Sequence, residues 1–348
     1  MQKLLAFLVL GWLALGTCAG QAISPYLAGQ NAWLPKGYGG VTYNGILDQL
    51  WPVVQRSKVQ LIRIGGNGVE FNMPSGPEYV SLIDSIRRIG AEPMVQVAQG
   101  RGKYTAAQAA AIVNYVNITM NRHIKYWIIG NEPNLAGTRT VVPVAGVETY
   151  IKAWSSAMKA VDPSILVVAP ETSFYDTSYL NPLIGGANDI TGQDANGRYY
   201  VDVVTFHSYP FSGTQTRAQV LAAPQTLAAN VDRLLTLLSA ANALHNRTGP
   251  NALQWAVTEF NIDYKNPVAN TVEGVGVHSF LNGQYWAEVF GIGMQKQGLS
   301  MMPWSIQEGN GARGDGDLGY LDGATAATIK PRSAYYHELL VAENLRGT

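Results

Sequence analysis

The chain has 348 residues, of which 47% are hydrophobic and 14% are charged. This is enough to bury one large core, and the length lies in the size range of a single α/β barrel. Lys and Arg together number 24, as do Asp and Glu, so the net charge is zero. Because no general positive field exists, we expect neither nucleic acid nor an anionic membrane as a partner.

The first 20 residues have the pattern of a secretory signal peptide. Lys3 precedes an apolar run from Leu4 to Leu15, and small residues follow around Cys18. The run is shorter than the roughly 20 residues that a membrane span needs, so we expect no membrane span. We expect cleavage between about residues 19 and 22 and a secreted or periplasmic mature chain. Lipidation of Cys18 is disfavoured by the Thr17 that precedes it.

Eight short apolar or β-branched segments predict β-strands, each followed by turn residues and a stretch of helical periodicity. The helical stretches include 106–116 and 220–244. Eight parallel βα units close into a barrel, whereas an open doubly wound sheet has about five or six strands. The prediction is therefore an α/β fold, a single (β/α)₈ TIM barrel over residues 21–348. The predicted strands are 26–31, 59–64, 92–98, 126–129, 166–169, 201–206, 254–258 and 300–304.

Polar and aromatic side chains stand at the C-terminal ends of these strands, where barrels of this kind carry their active sites. Each of them has an ordinary structural explanation, such as a loop cap, an ion pair or a core histidine. Their joint placement favours a functional site. They are Arg63, Asn67, Asn131, Glu132, His207, Tyr209, Glu259 and Trp304.

Two of these residues, Glu132 and Glu259, form a candidate carboxylate pair. Cleavage of a glycosidic bond needs a proton for the departing oxygen and a negative group facing the developing oxocarbenium ion. The two glutamates follow predicted strands four and seven, which places them across the barrel mouth from each other. We expect the separation of about 5 to 5.5 Å that retaining enzymes use, not the longer separation of inverting ones.

The sequence around both glutamates resembles glycoside hydrolase clan A, the retaining (β/α)₈-barrel glycosidases. The segments that carry the resemblance are IGNEPN at 129–134 and AVTEFN at 256–261, with ISPYLAGQN at 23–31, LIRIGGN at 61–67, VTFHSYP at 204–210 and KPRSAYY at 330–336. They are most similar to the branch with arabinofuranosidases, β-xylosidases, heparanase-like glucuronidases and certain endoglucanases. The resemblance implies a glycosidase acting on a carbohydrate, with Glu132 as acid/base and Glu259 as nucleophile.

The neighbouring residues have expected supporting roles. Arg63 would hold Glu259 ionised, and Asn131 would bond the sugar 2-hydroxyl or cap its loop. His207 and Tyr209 would orient a carboxylate or contact sugar, and Trp304 would lie beneath the sugar ring. Further candidates for substrate contact are Asn67, Trp33, Phe71, Tyr175, Phe211 and Tyr264, with the carboxylates Glu171 and Glu308.

We expect no metal and no cofactor at this site. The loop 314–322 offers Asp315, Asp317 and Asp322, which hints at calcium but lacks the full spacing of an EF-hand. The glycines of LIRIGGNG lack the Lys of a phosphate-binding loop. Two other interpretations use the same residues: a transglycosylase with the same covalent intermediate, and a carbohydrate-binding barrel without turnover. For the hydrolase, we expect an oligosaccharide or polysaccharide of plant or algal type as the substrate.

Overall fold

The computed structural model describes residues 22–32, 47–136, 140–265, 273–308, 318–322 and 327–345. The predicted signal segment, the candidate platform Trp33 and the calcium candidates Asp315 and Asp317 lie outside these residues. Within the described part of the chain, no helix is long and apolar enough to cross a membrane.

Eight parallel strands form the barrel, and each pairs with the next one along the chain. The last strand returns to the first: Ala28 pairs with Met301, whose N–H donates to the carbonyl oxygen of Leu27 at 3.0 Å. The predicted (β/α)₈ fold is thereby confirmed. The strands are β1 (Gly29–Ala32), β2 (Leu61–Ile64), β3 (Glu92–Val97), β4 (Tyr126–Ile129), β5 (Leu166–Thr172), β6 (Val203–Ser208), β7 (Gln254–Phe260) and β8 (Met301–Pro303).

Helices surround the barrel. The predicted helix 220–244 begins earlier, at Arg217, because Thr216 and Gln219 form a capping box in which each side chain accepts the other's backbone N–H. The predicted helix 106–116 is an α-helix that continues as a π-helix, Asn114–Thr119. The helices are α1 (Leu47–Arg56), α2 (Asn67–Phe71), α3 (Gly76–Arg88), α4 (Ala106–Val113), α5 (Val144–Val161), α6 (Thr177–Leu183), α7 (Arg217–Leu244), α8 (Phe280–Gln295) and α9 (Ser333–Asn344). Short 3₁₀ turns lie at Gly100–Gly102 and Gly249–Asn251, and two-residue strands β9 (Leu321–Asp322) and β10 (Lys330–Pro331) pair antiparallel.

Side chains alternate along each strand between the barrel interior and the layer beneath the helices. On β2, Leu61 belongs to the interior cluster, while Ile62 and Ile64 belong to the larger core beneath the helices. The interior cluster lies towards the N-terminal ends of the strands and forms an apolar floor below the mouth of the barrel. It comprises Leu61, Met94, Tyr126, Ile128, Val168, Val203, Ala256, Leu299 and Met302.

One carboxyl group is buried between α9 and β1. Glu338 is fully buried and accepts a hydrogen bond from Nε2 of Gln30 at 2.9 Å, while its other oxygen has no hydrogen-bond partner among the described residues. Burial raises the pKa of Glu338 to about 8. The folded protein therefore holds this carboxyl in its neutral form across a pH range in which the unfolded chain ionises it.

This proton makes stability depend on pH. Because the folded pKa is raised, the contribution of Glu338 is complete below about pH 4.5 and is lost as the pH rises through about 8. As the pH rises through this window, we expect the unfolding free energy of Glu338→Gln to increase relative to that of the wild type, by at most about 1.4 kcal/mol per pH unit. Urea denaturation at several pH values measures the difference, with Glu343→Gln on the exposed face of the same helix as the control. A difference that does not change with pH would contradict the assignment.

Candidate active site

The interior side chains become polar towards the C-terminal ends of the strands. On β6, the inward series runs from Val203 to Thr205 and then to His207, and on β7 it runs from Ala256 to Thr258. All five residues are fully buried. The same alternation that builds the apolar floor therefore supplies the polar layer above it.

Irregular pairing adds two glutamates to this layer. Strict alternation would place Glu259 on the same face as Val257, but the pairing of β7 with β8 shifts register between Val257 and Phe260. Glu259 consequently points inward, while Phe260 packs outward against Trp286, with ring centroids 5.7 Å apart. A similar shift between Ala169 and Thr172 turns Glu171 of β5 inward. Both strands extend past their predicted ends through these irregularities.

Glu132 follows β4 with a left-handed backbone. Its φ is 48°, and that of Glu171 is 58°, a conformation that costs energy for a residue with a side chain. The N–H of Glu132 donates to the carbonyl oxygen of Glu171 at 2.8 Å. Arg101 donates from Nη2 to the carbonyl oxygen of Glu132, also at 2.8 Å. Strand β5 and the 3₁₀ turn after β3 thus hold the strained backbone of Glu132 in place.

Arg63 lies at the centre of the polar layer and is fully buried. Its Nη1 donates to Oδ1 of Asn31 at 2.9 Å and to Oε1 of Glu259 at 2.7 Å. Its Nη2 donates at 2.7 Å to Oδ1 of Asn131 and to Oε2 of Glu171. Burial alone would lower the pKa of Arg63, but the two carboxylates raise it above its ordinary value. One guanidinium therefore joins five strand ends.

His207 stands between three carboxylates. Its Nδ1 lies 3.1 Å from Oε1 of Glu132 and 3.5 Å from Oε2 of Glu259, while its Nε2 lies 3.3 Å from Oε2 of Glu171. Burial opposes the charged form, but the three glutamates outweigh it and raise the pKa of His207 to about 10. The imidazole is therefore a cation at neutral pH.

The two candidate catalytic glutamates face each other above His207. A carboxylate oxygen of Glu132 and one of Glu259 lie within 4.8 Å of each other. Nδ2 of Asn67 donates to Glu132 at 3.3 Å, and the Tyr209 hydroxyl donates to Oε2 of Glu259 at 3.0 Å. Burial and the nearby carboxylates raise the pKa of Tyr209 well above its ordinary value, so the phenol keeps its proton and remains a donor.

Trp304 forms one wall of the site beside Gly66. A Cβ atom added to Gly66 would lie 2.5 Å from the Trp304 ring, and the φ of Gly66 is 81°, so a larger residue would not fit. Nε1 of Trp304 donates to Oε1 of Glu308 at 3.0 Å. Glu308, expected at the mouth, is fully buried and also accepts the N–H of Leu318 at 3.1 Å. These two hydrogen bonds fix the position of the Trp304 ring relative to Leu318.

The described contacts of the remaining candidates are with residues other than the carboxylate pair. Tyr175 packs edge-on against Phe206 with ring centroids 5.4 Å apart, and Phe211 is partly buried against the core. Tyr264 is 49% exposed. Phe71 is the last residue of α2. Asp322, a calcium candidate, accepts a hydrogen bond from Nη2 of Arg332 at 2.9 Å.

Two residues that were not predicted from the sequence, Arg101 and Glu70, support the loop after β3. Arg101 lies in the 3₁₀ turn with φ 55°, and its Nη1 is 3.8 Å from the fully buried Glu70. Glu70 also accepts the N–H of Gly100 at 2.8 Å, and burial raises its pKa to about 7. No local pattern indicates these residues. By contrast, Thr205 and Thr258 were detectable, because Thr205 precedes His207 by two positions on the same face of β6.

Glu132, His207 and Glu259 together also present one donor atom each in a group that would suit a metal ion. The site already contains positive charge, however. Arg63 bonds Glu259 directly, and the cationic His207 lies between both glutamates. A divalent ion would have to displace the His207 proton and would be repelled by Arg63. The expectation of no cofactor stays a prediction.

Removing Arg63 should cost more stability than removing any surface arginine. In Arg63→Met, Glu171 and Glu259 lose their shared counter-ion in a buried position, so we expect the unfolding free energy to fall by about 3 to 5 kcal/mol at pH 7. Arg122→Met is the control, because Arg122 also bonds a carboxylate, Asp84, through two nitrogens but is partly exposed. We expect a much smaller loss there. Equal losses in urea denaturation would refute the central role of Arg63.

Neither a protein-family model nor a curated protein matches the sequence. By structure, the chain is similar to a family 51 α-L-arabinofuranosidase from Bifidobacterium longum, with a TM-score of 0.71, 14% identity, and coverage of 94% of this chain and 75% of the other. The similarity to an α-L-arabinofuranosidase from Thermotoga maritima has a TM-score of 0.67 at 17% identity, and covers 92% of this chain and 71% of the other. The similarity to a monomeric β-xylosidase from Caulobacter crescentus has a TM-score of 0.65 at 15% identity, and covers 92% of this chain and 69% of the other. The chain therefore shares the fold of these glycosidases.

Proposed function

We propose that this protein is a retaining glycoside hydrolase that cleaves O-glycosidic bonds of a plant- or algal-type oligosaccharide or polysaccharide. The observation that carries the proposal is the pair of glutamates at the barrel mouth, whose carboxylate oxygens lie within 4.8 Å of each other. Retaining enzymes hold their carboxyl groups about 5 to 5.5 Å apart, while inverting enzymes leave about 6.5 to 9.5 Å for a water molecule. An approach of two carboxylate oxygens to within 4.8 Å accords with the shorter of these separations and favours double displacement.

The environments of the two glutamates support different roles. Glu259 accepts hydrogen bonds from Arg63 and Tyr209, which favour a carboxylate that attacks the anomeric carbon. As this bond forms, the glycosidic C–O bond breaks, and Glu132 gives its proton to the departing oxygen. Glu132 then takes a proton from water, whose oxygen attacks the anomeric carbon and releases Glu259. Each residue returns to its starting state.

The surroundings of the pair fit a neutral substrate. Trp304 offers an aromatic wall beside the carboxylates, and Asn67 adds an amide. The fold neighbours described as arabinofuranosidases and a β-xylosidase support a sugar as the substrate. We also propose that the protein is exported, on the pattern of residues 1–20. N-terminal sequencing of the protein from its host would show a start between about residues 20 and 23 if this is right.

Azide distinguishes the roles of the two glutamates. We expect wild type to cleave a 4-nitrophenyl glycoside from a panel with α-L-arabinofuranoside, β-D-xyloside and β-D-glucoside. Glu259→Ala should abolish turnover, and Glu132→Ala should lower kcat/KM on unactivated glycosides by about 10²- to 10⁴-fold. Added azide should then give a glycosyl azide of inverted configuration with Glu259→Ala and of retained configuration with Glu132→Ala, because it replaces the nucleophile in one variant and water in the other.

Glu92→Gln is the matched control, since this half-exposed carboxylate pairs with Arg87 at the opposite end of the barrel. We expect it to keep wild-type activity. Full activity of Glu259→Ala would refute the proposal. Proton NMR of the first sugar released by wild type tests retention separately, and an inverted anomer would refute double displacement.

A further inference from the structure

Glu171 has every polar contact that a carboxylate can use, and all are with protein. Its Oε1 accepts hydrogen bonds from the hydroxyls of Thr205 and Thr258, each at 2.7 Å. Its Oε2 accepts Nη2 of Arg63 at 2.7 Å and faces Nε2 of His207 at 3.3 Å. The residue is fully buried. Glu171 was a candidate for substrate contact, but its side chain lies beneath the catalytic pair.

The geometry around His207 calls for two donated protons. Nδ1 faces Glu132 and Glu259 on the mouth side, while Nε2 faces Glu171 on the interior side. A neutral imidazole has only one N–H and leaves the other nitrogen as an acceptor, which neither the Glu171 nor the Glu259 carboxylate can satisfy. The imidazolium satisfies both sides. The other groups near the ring are Arg63, which shares Oε2 of Glu171, and the neutral phenol of Tyr209.

We propose that Glu171 is a positioning residue, the buried counter-ion that holds His207 as an imidazolium between Glu132 and Glu259. This inference deepens the proposed function and rests on it for its catalytic consequence. Arg63 and His207 supply two positive charges, and Glu171 and Glu259 supply two negative ones, so the cluster balances while Glu132 carries its proton.

The balance matters because the first chemical step moves negative charge. Glu259 loses its charge as it bonds to the sugar, and Glu132 gains charge as it gives up its proton. Arg63 contacts Glu259 but not Glu132 among the bonds described, whereas His207 lies 3.1 Å from one carboxylate and 3.5 Å from the other. A cation at this point stabilises the charge at both ends of its transfer without moving.

The ionisation of both partners supports this arrangement. Burial would raise the pKa of Glu171, but Arg63 and His207 lower it to about 2, so the carboxylate is charged at any pH at which the enzyme would work. The pKa of His207 stands at about 10. The pair therefore does not titrate near neutral pH.

The first test is an NMR titration of the His207 imidazole in the wild-type protein. The chain has five histidines, so the His207 signals are identified by their loss in His207→Asn. We expect His207 to stay protonated from about pH 5 to about pH 9. A midpoint below pH ~8 would overturn the proposal. This measurement needs neither a variant of Glu171 nor a substrate.

The second test compares Glu171→Gln with Thr205→Val. We expect Glu171→Gln to lower the His207 midpoint by about 1 to 3 pH units, because a neighbouring negative charge is lost. Its kcat should then fall on the alkaline side at a lower pH than in wild type, with a smaller change in KM. Thr205→Val removes a hydrogen bond to the same carboxylate but keeps its charge, and Glu171→Asp keeps the charge on a shorter side chain. Both should keep the His207 midpoint near the wild-type value.

Three results would overturn the assignment: an unchanged His207 midpoint in Glu171→Gln, an equal shift in Thr205→Val, or a lower kcat with the wild-type pH profile. A different result would show that the proposed function is wrong. In that case no glycoside is cleaved by wild type, while the His207 titration still reports whether Glu171 is its counter-ion.

Discussion

Positive charge can be buried inside a barrel only if negative charge is buried with it. Arg63 and His207 meet this constraint through Glu171 and Glu259, with contacts between 2.7 and 3.5 Å. Loss of any one member leaves one unbalanced charge in a buried cluster. The geometry and charge of the candidate catalytic pair therefore depend on the same contacts that stabilise this end of the barrel.

The fold builds this cluster by two devices. Strand alternation carries Arg63, Thr205 and Thr258 inward above the apolar floor, and shifts of register on β5 and β7 add Glu171 and Glu259. The left-handed backbone of Glu132 is the remaining strained element, fixed by a hydrogen bond to the carbonyl of Glu171. Glu171 thus contacts the site twice, through its backbone to Glu132 and through its side chain to His207.

Much of the fold followed from sequence because strand alternation and turn residues are local signals. All eight strands overlap their predicted positions, and Glu132 and Glu259 were found because they follow such strands. The register shifts were not predictable, since period two places Glu171 and Glu259 on the wrong face. Glu308 was a candidate for substrate contact because it follows β8, but its hydrogen bonds with Trp304 and with Leu318, ten residues later, were not predictable. Contacts of that kind produce no periodic pattern of polar and apolar residues in the sequence.

The most direct measurement is capture of the covalent intermediate. The probe is the aryl glycoside that wild type cleaves fastest, made with fluorine in place of its 2-hydroxyl and with a dinitrophenyl leaving group. The fluorine destabilises the oxocarbenium-like transition states, while the dinitrophenyl group leaves without help from an acid. We therefore expect the glycosyl-enzyme to form faster than water hydrolyses it. Mass spectrometry should find one added sugar on the peptide that contains Glu259, and none in Glu259→Ala. A sugar attached to another residue, or steady release of dinitrophenol without any adduct, would contradict the account.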